Sequence, residues 1–143
     1  GLTNERRRYM AIAETPNRMS SMNERARTGR GYDRRNYATA EKLRKSLGLD
    51  AKSMAHYLGI DEKTYYRRAQ GGDLKGGESL KVEMLASILE EATRVLQSED
   101  EARHWVTTPI ISLDHVRPID HLTSISGYER VKNTLIKIEY GMY

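Results

Sequence analysis

The chain has 143 residues, 38% of them hydrophobic and 31% charged, with no cysteine and a formal charge of +4. This length suits one domain, or two small ones sharing a core, and the low apolar content predicts that part of the chain is an extended arm. The absence of cysteine excludes disulfides and thiolate metal sites and fits a reducing cytoplasm. The longest apolar run, Tyr9 to Ala13, is too short to span a bilayer or to form a signal-peptide core, so no membrane contact is expected.

Residues 1–38 read as a basic arm. Residues 1–35 hold nine arginines, four acids and no lysine, so the whole excess of positive charge lies there. A planar guanidinium can donate two parallel hydrogen bonds to phosphate. A solvated tail, a nucleic-acid contact and a segment that docks a protein partner all fit this pattern. Thr3 to Glu14 predicts a short helix capped at Thr3 or Asn4, and the stretch with Pro16, Gly29 and Gly31 reads as loop.

From Thr39 the signals become helical. Thr39 is expected to cap a short helix with Leu43 and Leu47 on one face and Gly48 at its end. Asp50 then caps Ala51–Leu58, Gly59 breaks it, and Asp61 caps Glu62–Ala69. The glycine-rich stretch Gln70 to Glu78 lacks the Gly-Lys-Ser/Thr ending of a phosphate loop and follows no strand. A longer helix, about Leu80 to Gln97, has Leu85, Ile88, Leu89, Ala92, Val95 and Leu96 on one apolar stripe. Ser98 with Glu101 predicts a capping box for a helix burying Ala102, Trp105 and Val106. Pro109 ends that helix, and Pro118 suits the first position of another with Ile119 and Leu122 inward. In the last helix Ser126 and Glu129 are expected to form a capping box, with Tyr128, Val131, Leu135 and Ile138 inward and Gly141 at the left-handed position after its end. No segment alternates with period two, so the fold class is all-α: a helix-turn-helix-like domain over residues 39–97, then a small helical domain over 98–143.

"AKSMAHYLGIDEKTYYRR" fits the helix-turn-helix template. Small Ala55 sits where two helices must cross, Gly59 makes the turn, and Leu58 and Ile60 flank it. Tyr65 and Arg68 stand where the second helix of such a pair usually buries aliphatic groups. On this template Asp61–Ala69 is the recognition helix, with Lys63, Thr64, Tyr66, Arg67 and Arg68 as the candidate DNA-binding residues. Catalysis finds little support. His56, His104, His115 and His121 lack metal-ligand spacing, and Ser112, Asp114 and His115 lack the glycines of a nucleophile elbow. The chain is read as no enzyme, with no cofactor.

The segments "KTYYRRAQGGDLKGGES", "ARHWVTTP", "RPIDHL" and "GYERVKNTLIKIEYG" resemble the Xre/MbcA/ParS-type antitoxins, most closely the Xre antitoxins paired with RES-domain toxins. Such family members usually carry a glycine pair where this chain has Asp114 and His115. The resemblance implies an operator-binding domain followed by a toxin-binding one. It also implies a RES-type, NAD-degrading toxin as protein partner, inhibited by occlusion of its cleft. On that basis Asn133, Lys137, Tyr140, Gly141, Met142 and Tyr143 are the candidate toxin-binding residues, with the last three reaching into the toxin. A homodimer within a larger toxin–antitoxin complex is expected, because Leu85, Ile88 and Trp105 exceed what so small a core should bury. The alternatives are a stand-alone helix-turn-helix regulator whose C-terminal half serves dimerisation, and an RNA-binding protein that uses the arginine arm.

Overall fold

A computed structural model describes residues 32–71 and 74–141 of the chain. The predicted helix Thr3–Glu14 and the arm through Gly31 lie outside the described residues, as do Met142 and Tyr143. Among those described there is no strand, only an isolated antiparallel bridge between Ile110 and Val116.

The first helix, α1, spans Tyr32–Ser46. It begins ahead of the expected cap, so Thr39 lies inside it. Nothing between Tyr32 and Thr39 breaks a helix, and Tyr37, Ala40 and Leu43 carry a single stripe onto the core. Next, α2 (Ala51–Leu58) starts where Asp50 accepts a hydrogen bond from the Ser53 amide at 2.7 Å. Gly59 (φ +80°) ends it, and Ile60 N donates back to Ala55 O at 3.0 Å. Asp61 repeats the first device for α3 (Glu62–Gly71), accepting from Thr64 N at 2.7 Å.

The long helix α4 (Gly76–Leu96) starts four residues before the expected position. Glu78 in its first turn reaches back to the Lys75 amide at 3.3 Å, and that acid at a helix N-terminus offsets the low propensity of Gly76 and Gly77. Ser98 caps α5 (Glu99–Val106), accepting from Glu101 N at 3.1 Å, which is the serine's half of the predicted capping box. A 3-10 turn at Ile111–Leu113 precedes α6 (Pro118–His121), where proline takes the first position. The last helix, α7, spans Ile125–Glu139 and is capped by Ser124, which accepts from Gly127 N at 3.0 Å. The expected box of Ser126 with Glu129 does not form. With α6 ending at His121 the chain turns at once, and Gly127 passes so close to His121 O that a Cβ there would lie 1.8 Å from it.

One apolar cluster gathers the helices. Leu43, Met54, Ala55, Leu58 and Tyr65 from α1–α3 join Val82, Leu85, Ile88 and Ala92 of α4; Val106, Leu113, Leu122, Val131 and Leu135 complete it. The central element is α4, which packs against α2, α5 and α7. Of the three residues expected to exceed so small a core, Leu85 and Ile88 are fully buried within a single chain and Trp105 is half-buried. The Tyr57 hydroxyl, on α2, donates to Lys81 O on α4 at 2.8 Å and lies 3.3 Å from Leu122 O at the end of α6. A phenol has one proton, so it serves one carbonyl at a time, and burial pushes its pKa up.

Candidate binding surfaces

Tyr65 and Arg68, the two residues that fit the helix-turn-helix template badly, are both held by polar partners. Tyr65 is wholly buried, its ring 5.4 Å from that of Tyr37, and its hydroxyl donates to Glu41 Oε2 at 2.5 Å. Glu41 also accepts two bonds from Arg44 at 2.8 and 3.0 Å. The Arg44 guanidinium, with help from the Tyr65 hydroxyl, holds the Glu41 carboxyl below the usual range. Arg68 forms a two-pronged pair with Glu78, at 3.0 and 3.1 Å. Polar clasps thus hold α3 where aliphatic packing would otherwise do so.

These clasps determine what α3 presents outward. Lys63, Tyr66 and Arg67 are exposed, and Thr64 is half-buried, its hydroxyl accepting from Arg67 Nη2 at 3.1 Å. Arg68, the fifth candidate, is turned to Glu78 and half-buried, so its donors already have an acceptor.

The second surface is the outer side of α7. Tyr128, Val131 and Leu135 are buried and Ile138 half-buried, which places Asn133, Ile136, Lys137 and Tyr140 on the opposite side, all exposed. Ile136 is 39% exposed, while Ile125 and Tyr140 are each 61% exposed. Sequence reasoning missed Ile125 and Ile136. The available signal was their position: each is apolar yet falls off the stripe of Tyr128, Val131 and Leu135. Gly141 is left-handed (φ +69°) as predicted, and its amide donates to Ile138 O at 3.1 Å.

The loop between α5 and α6 supports α7 from the side. Asp114 (φ +61°) and His115 (φ +60°) are consecutive non-glycine residues in the left-handed region, where the family resemblance places a glycine pair. Arg130 of α7 donates to Asp114 at 2.6 Å and holds that carboxyl below its usual pKa. His121 Nε2 donates to Leu113 O at 2.9 Å, which fixes its tautomer. The loop therefore keeps the backbone that glycines would take. Beside it, Leu96, Trp105 and Ile110 with Asp100, Glu101, His104 and Thr108 line an open groove of about 480 Å³. Among the described residues, no three His, Asp or Glu side chains gather to hold a metal ion, and no helix is long and apolar enough to cross a membrane.

Comparison with known proteins bears on the second surface. The chain is 30% identical over 86 residues to Antitoxin Xre of Photorhabdus laumondii subsp. laumondii, a match covering 59% of this chain and 58% of that relative. The match therefore spans less than two thirds of the relative's length. Residues 91–141 match the family described as the antitoxin Xre/MbcA/ParS C-terminal toxin-binding domain. That segment begins in the last turns of α4 and takes in α5, the strained loop, α6 and the whole of α7. Over residues 91–141 the chain is therefore similar to the Xre/MbcA/ParS antitoxin toxin-binding domains.

Proposed function

We propose that the chain is the antitoxin of a bacterial type II toxin–antitoxin system. In this reading its C-terminal domain binds a RES-domain, NAD-degrading toxin and covers the active-site cleft with the outer side and end of α7. One observation carries the proposal: within the matched toxin-binding domain, the last helix leaves Ile136 and Tyr140 exposed beside Asn133 and Lys137. An aromatic and an aliphatic side chain with polar neighbours are the usual make-up of an interface centre. In this reading Gly141, Met142 and Tyr143 remain candidates for the same contact.

The α2–α3 pair supports a second activity in the same protein, operator binding for autoregulation. Lys63, Thr64, Tyr66 and Arg67 would enter the major groove, and Arg68 would position the helix through Glu78. A homodimer reading two half-sites is the assembly that such recognition asks for. The stand-alone regulator makes no use of a neutralised enzyme, so co-expression separates the two readings. A host arrested by a RES-domain toxin from the same operon should resume growth when this chain is induced. Persistent arrest, with both proteins soluble and expressed, would reject the antitoxin reading and leave the regulator.

A further inference from the structure

The end of α7 is held by an ion pair that the helix itself does not need. Glu139 is its last residue. An acid at a helix C-terminus opposes the macrodipole, and the final turn of a helix tends to fray because its carbonyls lack partners. Glu139 is nevertheless gripped across the helix interface by Arg94 of α4, Nη1 to Oε1 at 2.8 Å and Nη2 to Oε2 at 3.0 Å. The same guanidinium is held by Glu91, one turn back on α4, through Nε at 3.3 Å and Nη2 at 2.8 Å. Arg94 and Glu139 are 17% and 20% exposed, more enclosed than an ordinary surface pair. The body of α7 is anchored upstream without this pair, by buried Val131 and Leu135 and by the Tyr128 hydroxyl 3.0 Å from Ser87 Oγ.

We propose that the Arg94–Glu139 pair is a positioning device, fixing the last turn of α7 to α4 and so setting the direction in which Tyr140 and Gly141 meet the partner protein. This rests on the reading that the end of α7 contacts the toxin. Two planar, doubly bonded groups resist rotation as well as separation, which a single lysine contact cannot do. The Tyr140 and Gly141 amides bond back to Ile136 O and Ile138 O, both at 3.1 Å, so the fixed turn is passed directly to the exposed ring. Ordering these residues before binding lowers the entropy that association must offset.

The test is a double-mutant cycle on the full chain, with toxin affinity measured by titration and amide exchange followed in the free protein. Glu139→Gln and Arg94→Lys should each weaken toxin binding about tenfold and speed exchange at the Tyr140 and Gly141 amides, while the melting temperature shifts little. Tyr140→Ala should weaken binding by itself, and Glu139→Gln added to it should change affinity no further. Unchanged affinity in Glu139→Gln, in a chain where Tyr140→Ala does weaken binding, would overturn the positioning role alone. A full tenfold loss from Glu139→Gln in the Tyr140→Ala background would overturn it too, because Glu139 would then act independently of the tyrosine. Unchanged affinity in Tyr140→Ala would remove the contact reading and the positioning role together.

Discussion

His115 occupies a backbone conformation that suits glycine better. A non-glycine residue in the left-handed region costs roughly 1–2 kcal/mol, and Asp114 beside it is in the same region. The two differ in compensation: Asp114 is tied to Arg130, whereas among the described residues no hydrogen bond or ion pair from the His115 side chain is seen. His115→Gly should therefore stabilise the protein by about 1 kcal/mol, less what the freer unfolded chain takes back, and Asp114→Gly should gain less or lose. Gly127 shows the opposite constraint. A methyl group there would overlap the His121 carbonyl, so Gly127→Ala should destabilise toward the upper end of the roughly 1–3 kcal/mol typical of overpacking. Urea denaturation monitored through Trp105 measures all three; a stabilised Gly127→Ala would show that the α6–α7 turn can relax.

At the scale of elements, most helix boundaries were legible because they are written locally. Asp50, Asp61, Ser98, Pro118 and Gly59 each act within four residues of themselves, and each does what its sequence position predicts. The starts of α1 and α7 were misread because tertiary packing decides them: the stripe of α1 continues toward the core, and the crowded turn at Gly127 selects Ser124 over Ser126. The template misfits at Tyr65 and Arg68 were visible, but their resolution was not, since Glu41 and Glu78 lie 24 and 10 residues away. The outcome for α3 is a face on which Lys63 and Arg67 are exposed and form no salt bridge among the described residues, with Asp61 the carboxylate whose pKa they help to lower. Arg67→Ala should cost about 1–3 kcal/mol of operator binding and relax specificity at one base pair. Lys63→Ala should weaken binding to all sequences and flatten its salt dependence. Mobility-shift titrations at two salt concentrations measure both, and unchanged affinity in the double variant would leave α3 without a role on DNA.

At the scale of the molecule, α4 connects the two surfaces. Its N-terminal half holds α2 through Lys81 O and α3 through Glu78, and its C-terminal half holds α7 through Ser87 and Arg94. The outer side of α7 is thereby presented on a rigid support, with the face of α3 fixed to the same helix. A surface substitution on α7 should consequently change what the domain binds without unfolding it. The most direct measurement is the rate of NAD consumption by a RES-domain enzyme, the proposed partner, with equal concentrations of the wild-type chain and of an Ile136→Glu, Tyr140→Ala variant whose melting temperature is unchanged. The expected result is strong inhibition by the wild type and at least a tenfold weaker inhibition constant for the variant, about 1.4 kcal/mol or more. Equal inhibition by the two chains, or none by the wild type, would contradict the assignment of α7 as the surface that silences the toxin.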